Sequence, residues 1–124
     1  MSFDTKKINN WINGSEVEPS SDKWINKVNP HSGEVDCLIA DSNQHDVDYA
    51  IDIAEDRFSE WAMRTPVDRG NILYNFVQEM INSTSFLAKC VARETGKSYK
   101  DSHGEVLGSI AQGQFFAGEG RRFY

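Results

Sequence analysis

The hydrophobic period of the chain changes at Asp41, from alternation by two before it to a repeat of about 3.6 after it. That switch divides the 124 residues into a strand-forming leader and a helix-forming remainder, and it predicts an α+β chain. We expect an arm of short strands and a hairpin over residues 1–41 and a helical segment over 42–124, together one incomplete domain. With 39% hydrophobic and 26% charged residues, the composition is that of a chain able to bury a core.

In the leader, residues 8–12, 23–28 and 34–40 read as extended runs. Asn13-Gly14 follows the first run, and both residues tolerate the positive φ of a tight hairpin turn. A second turn is expected at Asn29-Pro30-His31-Ser32-Gly33. The leader is thus predicted to form three short strands joined by turns.

Four helices are expected beyond it. Helix one spans 44–63, with Val47, Ala50, Ile51, Ala54, Phe58, Trp61 and Ala62 on one stripe, Ser42 or Asn43 as its cap, and Asp46 and Asp48 in its first turn. Thr65-Pro66-Val67-Asp68 sets a capping hydroxyl, a proline at the first helical position and an acid three residues after the cap, so helix two begins at 66 and runs to 82. Its stripe is Ile72, Leu73, Phe76, Val77, Met80 and Ile81. Helix three carries Phe86, Leu87, Cys90 and Val91 and stops at Gly96.

The last segment, 98–124, repeats apolar residues at Val106, Leu107, Ile110, Phe115 and Phe116 but also holds Gly104, Gly108, Gly113, Gly118 and Gly120. Each interior glycine costs about 1 kcal/mol relative to alanine, so another element must pack on this helix. Gly104 and Gly108, four residues apart, are the expected place for a close backbone approach. Phe115, Phe116 and Phe123 offer apolar surface to cover, which points to an interface or to a chain that continues past Tyr124.

Charge and composition exclude several functions. A net charge of -6 and the lack of a basic stripe argue against nucleic-acid binding. No apolar run reaches the roughly 18 residues that span a bilayer, and the opening Met1-Ser2-Phe3-Asp4-Thr5 has no signal core, so no membrane partner is expected and the compartment expected is the cytoplasm. Asn13-Gly14-Ser15 and Asn82-Ser83-Thr84 match the glycosylation pattern by chance. Cys37 and Cys90 are widely separated and read as small buried hydrophobes rather than a disulfide or zinc pair.

Motif imitations also fail on chemistry. Gly96-Lys97-Ser98 resembles the end of a phosphate loop, but Val91 stands where that loop needs glycine. Gly118-Glu119-Gly120 lacks the third glycine of a dinucleotide turn, since Phe123 occupies that place. A Cys-His nucleophile needs a thiolate beside an imidazole; here the cysteines sit on apolar patterns, and His31, His45 and His103 share no short spacing. Trp11, Trp24 and Trp61 fall at strand and stripe positions and are expected in the core. No catalytic, cofactor-binding or metal-binding residue is assigned within this sequence.

Read in order, Trp11-Ile12-Asn13-Gly14, Asn29-Pro30-His31-Ser32-Gly33-Glu34, Asp46-Val47-Asp48-Tyr49-Ala50-Ile51 with Ala54, Phe58 and Trp61, Asp68-Arg69-Gly70-Asn71-Ile72-Leu73, Glu94-Thr95-Gly96-Lys97-Ser98, Gly104-Glu105-Val106 and Phe115-Phe116-Ala117-Gly118 resemble the N-terminal quarter of the aldehyde dehydrogenase superfamily. The resemblance implies a subunit several hundred residues long, in which this segment leads into a Rossmann-like α/β domain that binds NAD or NADP. It implies oxidation of an aldehyde to a carboxylic acid through a cysteine thioester, with the catalytic residues and the cofactor-holding lysine beyond this sequence. The implied partners are the remainder of the subunit and further copies in a homo-oligomer. It also implies a structural monovalent cation between the strand before Asn29-Pro30 and an acid near Glu105, although a solvated helix face explains Glu105 equally. The stretch 117–124 is most similar to the branch acting on semialdehydes with a distal carboxylate. Two other readings stay open: a stand-alone helical interaction module without enzymatic activity, and a scaffold that pairs with full-length subunits.

Overall fold

The computed structural model describes residues 6–122. Phe123 and Tyr124, and the opening residues 1–5, lie outside the described residues. Five short strands precede four helices: β1 (Lys7–Ile8), β2 (Asn10–Ile12), β3 (Ser15–Val17), β4 (Trp24–Val28), β5 (Val35–Ala40), α1 (Gln44–Met63), α2 (Pro66–Asn82), α3 (Thr84–Thr95) and α4 (Tyr99–Glu119). The chain forms two compact units, residues 1–60 and 61–124.

The first unit holds two sheets. β5 is central in one, with β1 parallel on one side and β4 antiparallel on the other; β2 and β3 form a separate antiparallel hairpin. The expected Asn-Gly turn is present, with φ of 54° at Asn13 and 77° at Gly14. Its partner strand corrects the expectation of three strands. The run 8–12 divides at Asn9 between the two sheets, and β2 pairs with Ser15–Val17 rather than with residues 23–28. Ser-Glu-Val has little apolar signature, so the turn announces a strand that its own residues do not. The second turn closes with Asn29 Oδ1 accepting from the backbone N–H of His31 at 2.8 Å, while Gly33 takes φ of 72°. A bulge interrupts the register between Lys27 and Val28, beside an ion pair of 3.1 Å between Lys27 and Asp36.

The second unit is a helical cluster whose core is Val77 of α2, Ala88 of α3, and Val106 and Ile110 of α4, with Leu73, Met80, Leu87 and Val91 packed around it. Burying a side chain such as Val77 or Ile110 contributes roughly 1.5–3 kcal/mol. The helix boundaries follow local chemistry. Thr65 Oγ1 accepts from the Asp68 N–H at 3.1 Å, Ser98 Oγ accepts from the Asp101 N–H at 3.1 Å, and Gly96 ends α3 in the left-handed region at φ of 76°.

Three glycines fix how α2 meets α4. A Cβ on Gly70 would lie 2.6 Å from the Ala117 carbonyl oxygen, on Gly113 2.6 Å from Val77 Cγ2, and on Gly120 2.6 Å from the Pro66 carbonyl oxygen. The partners descend α4 as they ascend α2, so the helices run antiparallel with their backbones nearly touching. Gly104 and Gly108, expected to make the close approach, face open space: a Cβ added at either would meet nothing within 4 Å. The reason is geometric, because the inward line of α4 runs through Ser102, Val106, Ile110 and Ala117, and Gly104 and Gly108 fall off it.

Candidate functional site

The amphipathic stripes of the helices are wider than the faces they bury, and the surplus defines the sites this chain offers. In α2, Val77 is buried while Phe76 is 61% exposed; in α4, Ile110 is buried while Phe116 is 59% exposed. Single exposed apolar residues are ordinary, but a contiguous set flanking a concavity marks a contact surface.

Within the helical unit, Trp61, Leu73, Phe76 and Phe116 wall a groove of about 490 Å³, floored where Gly70 and Gly120 let the helices close and edged by Arg69. At the far side of the same helix pair is a smaller polar niche of about 170 Å³. There Arg121 donates from Nη2 to Asn71 Oδ1 at 3.0 Å, and Tyr74 and Gln114 stand beside it. Arg122 pairs with Glu119 at 2.8 Å and lies over the Phe115 ring.

Within the first unit, Trp11, Ile12, Val47 and Ile51 wall a second groove of about 400 Å³, with Asn10, Ser42 and Asp46 at its polar side. Ser42 donates to Asn10 Oδ1 at 2.9 Å, and the buried Asn10 Nδ2 has no acceptor. Asp46 is the anchor of this region. Its carboxylate accepts from the Asn43 N–H at 2.9 Å and from the Ser20 N–H at 2.9 Å, while Asn43 Oδ1 accepts in return from the Asp46 N–H at 3.4 Å and also from the His45 N–H at 2.9 Å. The reciprocal pair is a capping box, and Ser20 ties the preceding loop into it. These contacts hold the Asp46 carboxyl below the usual carboxylate range, the Asn43 N–H first and the Ser20 N–H next, against an opposing effect of burial.

Several expected positions differ. Trp11 is 70% exposed and Trp61 43% exposed, and Trp24 is half-buried, so none of the three is a core residue. Trp24 instead donates toward Asn9 Oδ1 at 3.4 Å and carries the Lys7 ammonium 3.4 Å from its ring centroid. Cys37 in β5 and Cys90 in α3 are unpaired and half-buried rather than fully buried. His31 and His45 are exposed, and His103 is half-buried with its ring 5.9 Å from that of Tyr99. Glu105 is ion-paired with Lys97. Among the described residues no group of three or more His, Cys, Asp or Glu side chains converges as a metal site would require.

The described residues do not fit a dinucleotide either. A pyrophosphate is held by free N–H groups at a glycine-rich strand-to-helix turn. Here β5 enters α1 through Asp41-Ser42-Asn43, and the first N–H groups of α1, α2 and α4 already have side-chain acceptors in Asn43, Thr65 and Ser98. No helix among the described residues is long and apolar enough to cross a membrane.

What this arrangement resembles is specific. The sequence profile of the aldehyde dehydrogenase family matches residues 17–124. A malonate-semialdehyde dehydrogenase of Listeria innocua is 36% identical over 115 residues, covering 93% of this chain and 24% of that enzyme. An NADP-dependent enzyme of E. coli superposes with a TM-score of 0.89 at 27% identity, covering 94% of this chain and 24% of that one. PnpE in complex with nicotinamide adenine dinucleotide superposes with a TM-score of 0.85 at 28% identity, covering 87% and 22% respectively. The chain therefore spans about a quarter of the length of the relatives it matches. Strands first, four helices after and grooves lined by surplus apolar side chains suit the leading part of such a subunit, and the chain belongs to the aldehyde dehydrogenase family as an N-terminal segment.

Proposed function

We propose that this segment serves a subunit that oxidises an aldehyde to a carboxylic acid with NAD or NADP, through a cysteine thioester formed outside residues 1–124. The observation that carries the reading is the family match across residues 17–124. The role of the segment is structural: its grooves present apolar walls and the starts of α1, α2 and α4 are already capped, which suits packing rather than catalysis. Semialdehydes bearing a distal carboxylate are the substrate class, supported by the 36% identity to a malonate-semialdehyde dehydrogenase. Two unpaired thiols, Cys37 and Cys90, suit a reducing cytoplasm, and the exposed aromatic side chains suit a subunit that assembles with further copies.

The test measures aldehyde-dependent reduction of NAD and of NADP, by the 124-residue chain and by a subunit carrying it. The subunit is expected to turn over malonate semialdehyde and the chain alone to produce no reduced cofactor. Turnover by the isolated chain would overturn the structural role; none by the subunit with any aldehyde would overturn the activity. The exposed apolar side chains also favour an interaction module, and for that reading the chain would self-associate as its concentration rises.

A further inference from the structure

We infer that the groove between α2 and α4 is the seat of an apolar element from the remainder of an aldehyde dehydrogenase subunit; this rests on the reading above. Three observations converge on that occupant. The groove is a built feature, since Gly70 and Gly120 set its floor by contacts that admit no Cβ. Its walls are large apolar side chains that the helical unit leaves open, Phe76 at 61% and Phe116 at 59% exposure, although each helix also carries a residue buried in the core. The relatives carry about three quarters of their length beyond what this chain matches, which supplies the missing apolar surface.

A second copy of the chain suits the groove less well. Each copy carries a net charge of -6, so face-to-face pairing brings like charges together. A two-fold pairing whose axis passes through the groove sets a concavity opposite the same concavity, and nothing then fills either one. An element with aliphatic or aromatic side chains fills a space of about 490 Å³ without a charge partner, because Arg69 is the sole charged side chain lining it among the described residues.

The experiment uses two cysteine probes, Phe76→Cys and Phe116→Cys, placed separately in the 124-residue chain and in a chimera. The chimera is the Listeria innocua malonate-semialdehyde dehydrogenase with its matching segment replaced by this chain. Maleimide labelling at each probe is followed by peptide mass mapping, which separates it from labelling at Cys37 and Cys90. Both probes are expected to label rapidly in the isolated chain and at least tenfold more slowly in the chimera. Equal labelling in chimera and chain overturns the inference, and so does protection in the isolated chain that grows with its concentration, which would assign the groove to a second copy. Aldehyde oxidation by the unsubstituted chimera is read separately. An inactive chimera that protects both probes keeps the groove and sinks the catalytic reading; an active chimera that leaves both probes open does the reverse.

Discussion

The two units of the chain are held by different physics. In residues 61–124, a small apolar core and three close contacts at glycine, two to backbone and one to the Val77 side chain, define the packing. In residues 1–60, Ile12 is the single buried large apolar side chain among the described residues, and the order comes from strand ladders, an ion pair across a bulge and the hydrogen bonds gathered at Asp46. The difference teaches where each unit is vulnerable. The helical unit should fail by loss of volume or by added volume, the sheet unit by loss of a polar partner.

The sharpest break of that contrast is a pair of truncations. Ile110→Ala is expected to destabilise the protein by about 2–5 kcal/mol in denaturant titration, since its side chain is 6% exposed. Ile25→Ala, at a residue 49% exposed, should cost under about 1 kcal/mol in the same titration. Equal losses would erase the distinction between the units.

Next in size is a pair of glycine substitutions with opposite signs. Gly70→Ala is expected to lower stability by about 1–3 kcal/mol because the new methyl meets the Ala117 carbonyl. Gly104→Ala enters open space in the same helical unit and should raise stability by about 1 kcal/mol from helix propensity alone. Thermal melts of the two variants, shifted in opposite directions, are the check.

A smaller effect is expected at a cap. Thr65→Ala removes the acceptor for the Asp68 N–H and should cost about 1 kcal/mol, read as frayed hydrogen-exchange protection over the first turn of α2.

The last prediction belongs to the sheet unit and is a pH dependence. The Asp46 carboxyl is depressed in the folded state, so its contribution is complete above the ordinary carboxylate range and is lost as pH falls through its folded value. Asp46→Asn should lower the melting temperature at neutral pH and flatten the acid limb of the melting curve. An unchanged acid limb would detach this residue from the stability of its unit.

Much of the helical half is legible in the sequence because its signals are local. The bounds 44–63 and 66–82 follow from a stripe of period near 3.6 and from Thr65-Pro66-Val67-Asp68, whose hydrogen bonds form within one turn. The strand pairing is less legible, because Ser15–Val17 is a strand by virtue of its partner rather than its composition. The close-packed glycines escape a sequence reading because periodicity identifies a face without saying which residues on it meet a neighbour. Gly70 looks like part of an Asp-Arg-Gly punctuation, and only the position of Ala117 opposite it reveals the contact. The tryptophans mislead for a related reason: residue type predicts a wish to be covered, and the covering surface need not be in the same segment.

The three glycines between α2 and α4 have a consequence for how this sequence can vary. Every other amino acid carries a Cβ, so any missense change at Gly70, Gly113 or Gly120 inserts at least one carbon into space already taken. In a saturation screen these positions should tolerate synonymous codons and little else, while Gly104 and Gly108, which face open space, accept a broad set of replacements.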